Sequence, residues 1–355
     1  MTPDVESALS AGQKWLEEYT KRYAFKKLER EVITTGVCVE CGTCVSNCPV
    51  DAITATRVEG KYVPELTGKC TSCGICYAMC PRSLTLPEDL IGNYISIYKA
   101  RSKIDGGKRQ DGGIATAIMV SQLRAKEIEA AIVASHSPTP WLPASATAKS
   151  EEEILNSGGT IYIHTPIVQG MMDAFENGYS KLAVVGTACN IDAISRLQTH
   201  PAGFLSISKD TEVLKMGLFC MESFQYEGLK SFLKENGIDI DKALRMAIAG
   251  GKFTITTSEG DREWPIADLN SIAARSCSYC HDLTATSADI SCGNIGSDEG
   301  WTTVIVRTKT GEKAFDRAVK DGVIEAEALD DKSIQTVMNV SRSKAIRYYS
   351  MEPSH

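Results

Sequence analysis

Residues 38–53 read "CVECGTCVSNCPVDAI" and residues 70–84 read "CTSCGICYAMCPRSL". Both follow C-x2-C-x2-C-x3-C-P, through Cys38, Cys41, Cys44, Cys48 and Pro49, then Cys70, Cys73, Cys76, Cys80 and Pro81. Three thiolates two residues apart wrap one loop around a four-iron cubane and point at three of its irons. Gly42 and Gly74 lie inside those loops, where a positive φ or a close backbone approach is useful. The fourth cysteine crosses over to the other cluster. The spacing therefore predicts one 4Fe–4S cluster on Cys38, Cys41, Cys44 and Cys80, and a second on Cys70, Cys73, Cys76 and Cys48. Zinc is the plainer alternative. Its four-cysteine sites pair two C-x2-C knuckles, and do not repeat three thiols plus a fourth before proline. Two clusters can also be a passive wire and nothing more.

Working outward, residues 36–83 read as a two-cluster, ferredoxin-like domain. Residues 1–35 read as a helical extension, with Leu9, Leu16, Tyr19, Tyr23 and Leu28 near helical spacing. It is read as packed on the body, the sharper alternative being a docking arm. "YKARSKIDGGKRQDGG" (residues 98–113) reads as a solvated link. Residues 84–355 then alternate. "EAAIVAS", "KLAVVGT", "VLKMGLFC" and "WTTVIVRT" read as strands. "GGIATAIMVSQLRAKE", "IDAISRLQT", "YEGLKSFLKENG" and "GEKAFDRAVKDG" read as helices, and "KFTITTSEGDREWPI" as a hairpin. The fold class expected is α+β to α/β: a cluster-binding domain followed by a mixed-sheet α/β domain.

Composition narrows the function classes. The chain has 355 residues, 43% of them hydrophobic, and a formal net charge of −7, which speaks against a nucleic-acid partner. No apolar run reaches membrane-spanning length. The first residues, "MTPDVESALSAGQKW", lack the pattern of a secretion signal, so a cytoplasmic location is expected. Thirteen cysteines without an export signal favour metal or redox chemistry over disulfides.

Five cysteines lie outside the doubled motif. Cys189 sits at a strand-to-helix break, Cys220 at the end of an apolar stretch, and Cys277 and Cys280 in a C-x2-C knuckle. In open α/β sheets the loops after the strands converge at the carboxyl edge. These four thiols can meet there around a third 4Fe–4S cluster. The alternatives are zinc for the knuckle and small buried apolar residues for Cys189 and Cys220. Cys292, in "DISCGNIG", is the spare.

"QDGGIATAI", "NSGGTIY", "VVGTACN", "GLFCMESF", "SCSYCHDLTATSADIS" and "GWTTVIVRT" occur in that order. Over about residues 84–310 they resemble the family of coenzyme F420 hydrogenase/dehydrogenase beta subunits. The resemblance implies bound FAD, hydride exchange with the deazaflavin F420, and a 4Fe–4S cluster that maps onto Cys189, Cys220, Cys277 and Cys280. With the two-cluster domain in front, the chain looks like the electron-input subunits of archaeal reduced-F420 dehydrogenases. Those relatives dock on a membrane respiratory complex. The implied partners are F420 and an electron-accepting complex or ferredoxin, with any membrane association peripheral and through the partner. Where the family shows "GTPCQ", this chain has Ala188 and Asn190 around Cys189.

Glycine pairs at Gly112–Gly113 and Gly158–Gly159 let backbone approach a diphosphate beside a helix N-terminus. Alone each is more often a plain turn. In the family context they make a flavin site together with Gln110, Asp111, Ser157 and Thr160, extended to Thr116 and Thr187 in the same motifs. Lys103, Lys108 and Arg109 can meet the polyanionic tail of F420, or form a solvated charge run. A hydride carries two electrons and a cluster accepts one, so a flavin between them is required. No acid–base triad is needed, and His136, His164, His200 and His281 read as structural or surface residues. The competing functions are a non-catalytic electron carrier and a related flavin and iron–sulfur reductase acting on another substrate.

Overall fold

In the computed structural model the described residues are 25–58, 60–83, 87–208 and 210–349. The expected helical positions Leu9, Leu16, Tyr19 and Tyr23 lie outside them. The chain divides into a unit of residues 1–90 with 342–355 and a unit of residues 91–341. This division lies seven residues past the boundary expected at 83/84, and the last residues group with the first unit. The C-terminal helix, Asp331–Tyr349, carries the chain into that segment.

In the first unit, α1 (Phe25–Leu28) runs into a π-helical turn, Glu29–Ile33. Two one-turn helices follow the cysteine loops: α2 (Thr43–Ser46) and α3 (Ile75–Ala78). Each is entered through a left-handed glycine, Gly42 at φ 77° and Gly74 at φ 84°. There a side chain would be strained by Cβ contact with the carbonyl. Glu40 (φ 57°) and Ser72 (φ 58°) repeat the pattern, so the two motif halves share one backbone shape. Between them β1 (Ile53–Val58) and β2 (Lys61–Leu66) form an antiparallel hairpin, with Ile53 opposite Leu66. Phe25, Leu28, Val32, Ile53, Cys76 and Tyr77 make the core, and the Tyr77 hydroxyl donates to Glu31.

The second unit is built on an eight-stranded mixed sheet. Its strands are β3 (Ser96–Ser102), β4 (Ala130–His136), β5 (Pro143–Ala148), β6 (Lys181–Thr187), β7 (Glu212–Leu218), β11 (Ile290–Gly293), β12 (Thr302–Val306) and β13 (Ile324–Ala328). Their order is β13-β3-β12-β11-β7-β6-β4-β5. The central β4, β6, β7 and β11 are parallel, and the flanking pairs are antiparallel. On β4, Ala131 and Val133 join one apolar cluster while Ala130 and Ile132 join another. Successive side chains of a strand point to opposite faces, so both faces of the sheet are covered, as parallel strands require. Ile118 of helix α4 (Ile114–Arg124) and Phe315 belong to one cluster, and Met171 and Ile191 to the other. A smaller three-stranded meander, β8 (Arg245–Ala249), β9 (Lys252–Thr257) and β10 (Gly260–Pro265), has its own core around Phe224, Leu229 and Phe253. No described helix is long and apolar enough to cross a membrane.

Two sequence expectations are corrected. The first five residues of the expected solvated link, 98–102, belong to strand β3, paired on both sides, with Ala100 fully buried. Its basic residues imitate a loop, but they are matched across the strand pair. Arg101 stands opposite Glu325 and Lys99 opposite Glu327, and Lys99 and Arg101 lie 5.1 and 4.7 Å from the Trp301 ring centroid. Opposite charges directly across a strand pair favour that register. Cys220 also does not end a strand. Strand β7 stops at Leu218, and the chain turns away with Cys220 two residues on.

Candidate functional site

The eight cysteines of the first unit line two cavities. Cys38, Cys41, Cys44 and Cys80 line one, with Leu28, Val32 and Ile33. Cys48, Cys70, Cys73 and Cys76 line the other, with Ala52 and Ile53. Each ring takes three thiols from one loop and the fourth from the other half. The donors are soft sulfurs around a space rather than a point, in a mainly apolar shell that also includes Thr43 and Thr71, and this set fits a 4Fe–4S cluster. Backbone N–H groups also face the sulfurs: Glu40 donates to Cys38 Sγ at 3.5 Å, Ser72 to Cys70 at 3.3 Å and Ala52 to Cys48 at 3.3 Å. Burial, then the neighbouring Cys80 and Cys38, pushes the Cys44 thiol up to about 11. Burial, then Cys73 and Cys70, pushes Cys76 up to about 12. Crowded thiols hold protons until a metal displaces them.

The second unit brings its cysteines to the carboxyl edge of the sheet. Strands β6 and β7 are parallel neighbours, with Thr187 beside Leu218. Cys189 is the second residue of helix α5 (Ala188–Thr199), directly after β6, and its Sγ lies 3.2 Å from Thr187 Oγ1. Cys220 follows β7. Its N–H donates to the Leu283 carbonyl at 2.9 Å, and the Ala274 N–H donates to the Ser223 carbonyl at 2.8 Å. This ladder lays the 220–224 segment along the 274–283 segment, which carries Cys277 and Cys280. The Ser223 N–H donates to Cys277 Sγ at 3.3 Å. Asp282, just past Cys280, accepts from the Thr284 and Thr286 N–H groups. Arg307, buried beneath, donates to the carbonyls of Ile91, Asn93 and Thr284 and to Ser291 Oγ. The loop that holds Cys280 is thereby braced, and burial lowers the Arg307 pKa to about 10.

One neighbour of this quartet was not legible in the sequence. His164 Nε2 stands 3.8 Å from Cys277 Sγ, across 113 residues of chain. Burial lowers its pKa. No spacing rule links the two residues, so no local signal marks it. Cys292 lies in β11, 4% exposed within the apolar core, its thiol pushed up to about 12 by burial.

Strand β3 also ends at the carboxyl edge, since it and β11 are both antiparallel to β12. The Lys103–Gly113 loop therefore opens on the same side as Cys189 and Cys220. The two glycine pairs meet through this loop. The Lys108 N–H donates to the Leu155 carbonyl at 3.1 Å, and a Cβ on Gly158 would stand 1.8 Å from the Lys108 carbonyl oxygen. A Cβ on Gly112 would stand 2.6 Å from the Ala100 carbonyl oxygen, and the Gly112 N–H donates to Thr302 Oγ1. Gly113, at φ 67°, caps helix α4, whose first turn has no acidic residue and includes Thr116. That helix end carries unopposed positive dipole. Gln110 Oε1 is buried with no hydrogen-bond partner, and an orphaned acceptor of this kind is costly unless a ligand meets it. Burial raises the Asp111 carboxyl pKa, with Arg245 opposing. The Ser157 hydroxyl donates to the Ile154 carbonyl, Gly159 has φ 101° with open space around it, and Thr160 is half-buried. An orphaned polar atom between two close-approach glycine turns fits the polar part of a flavin nucleotide. Of the three basic residues, Lys103 pairs with Glu325 at 3.6 Å and Arg109 donates to the Ile104 carbonyl at 3.0 Å. Lys108 is exposed.

Comparison with known proteins gives the same division. Residues 37–84 match the 4Fe–4S dicluster domain. Residues 97–171 match the N-terminal part, and residues 179–332 the C-terminal part, of the coenzyme F420 hydrogenase/dehydrogenase beta subunit. The chain is 37% identical over 245 residues to the coenzyme F420 hydrogenase subunit beta of Methanococcus voltae, which covers 68% of this chain and 86% of that one. It is 32% identical to a subunit of the F420H2 dehydrogenase of Methanosarcina mazei, over 85% of this chain and 86% of that one. Among solved structures, a chain of the F420-reducing [NiFe] hydrogenase complex from Methanosarcina barkeri superposes with a TM-score of 0.66. It is 32% identical, covering 72% of this chain and 92% of that one. With both family domains matched in order behind a 4Fe–4S dicluster domain, this chain belongs to the family of coenzyme F420 hydrogenase/dehydrogenase beta subunits.

Proposed function

We propose that this protein is an F420-dependent oxidoreductase. It would exchange hydride between coenzyme F420 and FAD and pass single electrons through three 4Fe–4S clusters to a partner. The observation that carries the reading is the shared carboxyl edge of the second unit. There a glycine-lined turn with an orphaned Gln110 acceptor opens on the same sheet edge as Cys189 and Cys220, in a chain that also has two four-cysteine cavities. FAD, when bound, supplies the conversion between a two-electron hydride and one-electron carriers.

This chain's residues supply the rest. Gly112 and Gly158 draw the two turns onto the Ala100 and Lys108 carbonyls, Gly159 leaves open space for the diphosphate, and the N-terminus of α4, capped by Gly113, would face its charge. Gln110, Asp111, Ser157, Thr160, Thr116 and Thr187 border that space. Cys189, Cys220, Cys277 and Cys280 would hold the cluster nearest the flavin. Cys38, Cys41, Cys44 and Cys80, and Cys48, Cys70, Cys73 and Cys76, would hold the two clusters of the first unit. Lys108 offers an exposed charge to the anionic tail of F420. Relatives named as hydrogenase and dehydrogenase subunits support an electron-accepting protein complex as the partner.

Stopped-flow mixing of the anaerobic protein with reduced F420 tests the reading. Flavin bleaching should precede cluster bleaching and run much faster than with NADH. The chain lacks the G-x-G-x-x-G turn that nicotinamide binding favours. Fast reduction by NADH with none by reduced F420 would overturn the substrate. Absence of bound flavin would leave an electron carrier only.

A further inference from the structure

We propose that His164 is a positioning residue that donates its Nε2–H to Cys277 Sγ and thereby raises the reduction potential of the cluster held by the second-unit quartet. The proposal rests on the reading of Cys189, Cys220, Cys277 and Cys280 as one 4Fe–4S site.

The contact is built into the backbone. Ile163 bridges Phe224 in parallel, and Phe224 bridges Ala273 on its other side. The Phe224 N–H donates to the Tyr162 carbonyl at 2.7 Å. Three short segments, 162–164, 223–224 and 273–274, therefore run side by side. They set His164, Ser223 and the turn that starts at Ala274 against one another. The Asn190 side-chain amide also donates to the Thr165 carbonyl at 3.3 Å, tying the residue after His164 to helix α5, in whose first turn Cys189 lies. Cys277 is buried, and two groups reach its sulfur: the Ser223 N–H, which donates at 3.3 Å, and His164 Nε2, at 3.8 Å. The backbone on both sides of His164 is thus tied to the segments that carry Cys277 and Cys189, and its ring reaches the buried sulfur from an exposed position.

The physical consequence follows from charge. One-electron reduction adds negative charge to the cluster and its sulfurs. A donor aimed at a ligand sulfur gains more from the reduced form than from the oxidised form, so it raises the potential. No bond forms or breaks, and no proton is transferred. Only the midpoint of the one-electron couple moves. A raised midpoint makes this cluster the better acceptor of the first electron leaving a hydride-loaded flavin.

The test uses the full chain with its clusters, comparing the unsubstituted protein with His164→Leu and His164→Gln. Leucine removes the donor, and glutamine restores an N–H at similar reach. The readout is the midpoint potential of the third cluster in an EPR-monitored redox titration. The expected result is about a tenfold shift of the one-electron equilibrium toward the oxidised form in His164→Leu, about 59 mV. His164→Gln should recover most of it. The two first-unit clusters should keep their midpoints, and the iron count should not change. An unchanged midpoint in His164→Leu would overturn the proposal. So would an equal fall in both variants, which assigns the effect to packing, and so would loss of four irons from both, which makes His164 an iron ligand. Absence of a third cluster signal in the unsubstituted protein would overturn the quartet reading and this inference together. A third signal indifferent to His164 would overturn this inference alone.

Discussion

Cys280 and Cys292 lie twelve positions apart in sequence and differ in everything the fold adds. Cys292 is sealed in β11 among apolar side chains, while Cys280 closes a turn beside Cys277 at the sheet edge. Cys280→Ala should therefore remove about four irons per chain and one EPR signal, leaving the first-unit pair intact. Cys292→Ala should keep the full iron count and cost only on the order of 1 kcal/mol in an unfolding measurement, the scale of a small cavity. If Cys292→Ala loses the cluster and Cys280→Ala does not, the ligand set is wrong. The basic residues separate in the same way. All three are exposed, but Lys103 pairs with Glu325 and Arg109 with a backbone carbonyl, whereas the Lys108 ammonium meets no carboxylate among the described residues. In steady-state kinetics Lys108→Gln should raise the apparent KM for reduced F420 severalfold with little change in kcat, the pattern of lost uniform binding. Lys103→Gln should do less. Raised salt should weaken F420 binding in the unsubstituted protein more than in Lys108→Gln.

Loops after strands carry the candidate site, and glycine decides how closely they approach. A side chain at Gly158 would collide with the Lys108 carbonyl, and the obstacle is backbone, which cannot swing aside like a flexible side-chain tip. Gly158→Ala should displace the Lys103–Gly113 loop from the second glycine pair. Flavin bound per chain, measured after release by denaturation, should fall well below that of the unsubstituted protein while iron stays unchanged. Equal flavin content would remove this turn from the flavin site. Strand β3 teaches a related point about elements. Its Lys99 and Arg101 resemble a solvated charge run in sequence, yet Glu327, Glu325 and Trp301 receive them on the sheet. Charge density in a short segment does not separate a loop from a strand whose partners lie more than 200 residues away.

At the scale of the whole chain, electrons and stability share the same cysteines. Three clusters predict close to twelve irons per anaerobically purified chain, and a count that stays near eight would remove the third. The first unit has a small core, and part of it is the buried Cys76. Metal binding there should supply folding energy as well as redox function. Anaerobic iron removal should therefore lower the melting temperature of the first unit before that of the second, visible as two transitions by calorimetry. The sequence by itself determined the doubled cysteine motif, the alternation of strands and helices, and the order of the family motifs. Each of these depends on spacing along the chain, and ligand geometry within one loop or the period of a strand is a local property. Tertiary structure alone decided which loops share an edge. It set Cys189 and Cys220 after neighbouring strands, laid the 274–283 segment along the 220–224 segment, set His164 against Cys277, and turned a basic link into an interior strand. These contacts depend on strand order and register, through which the fold joins residues that no chain spacing relates.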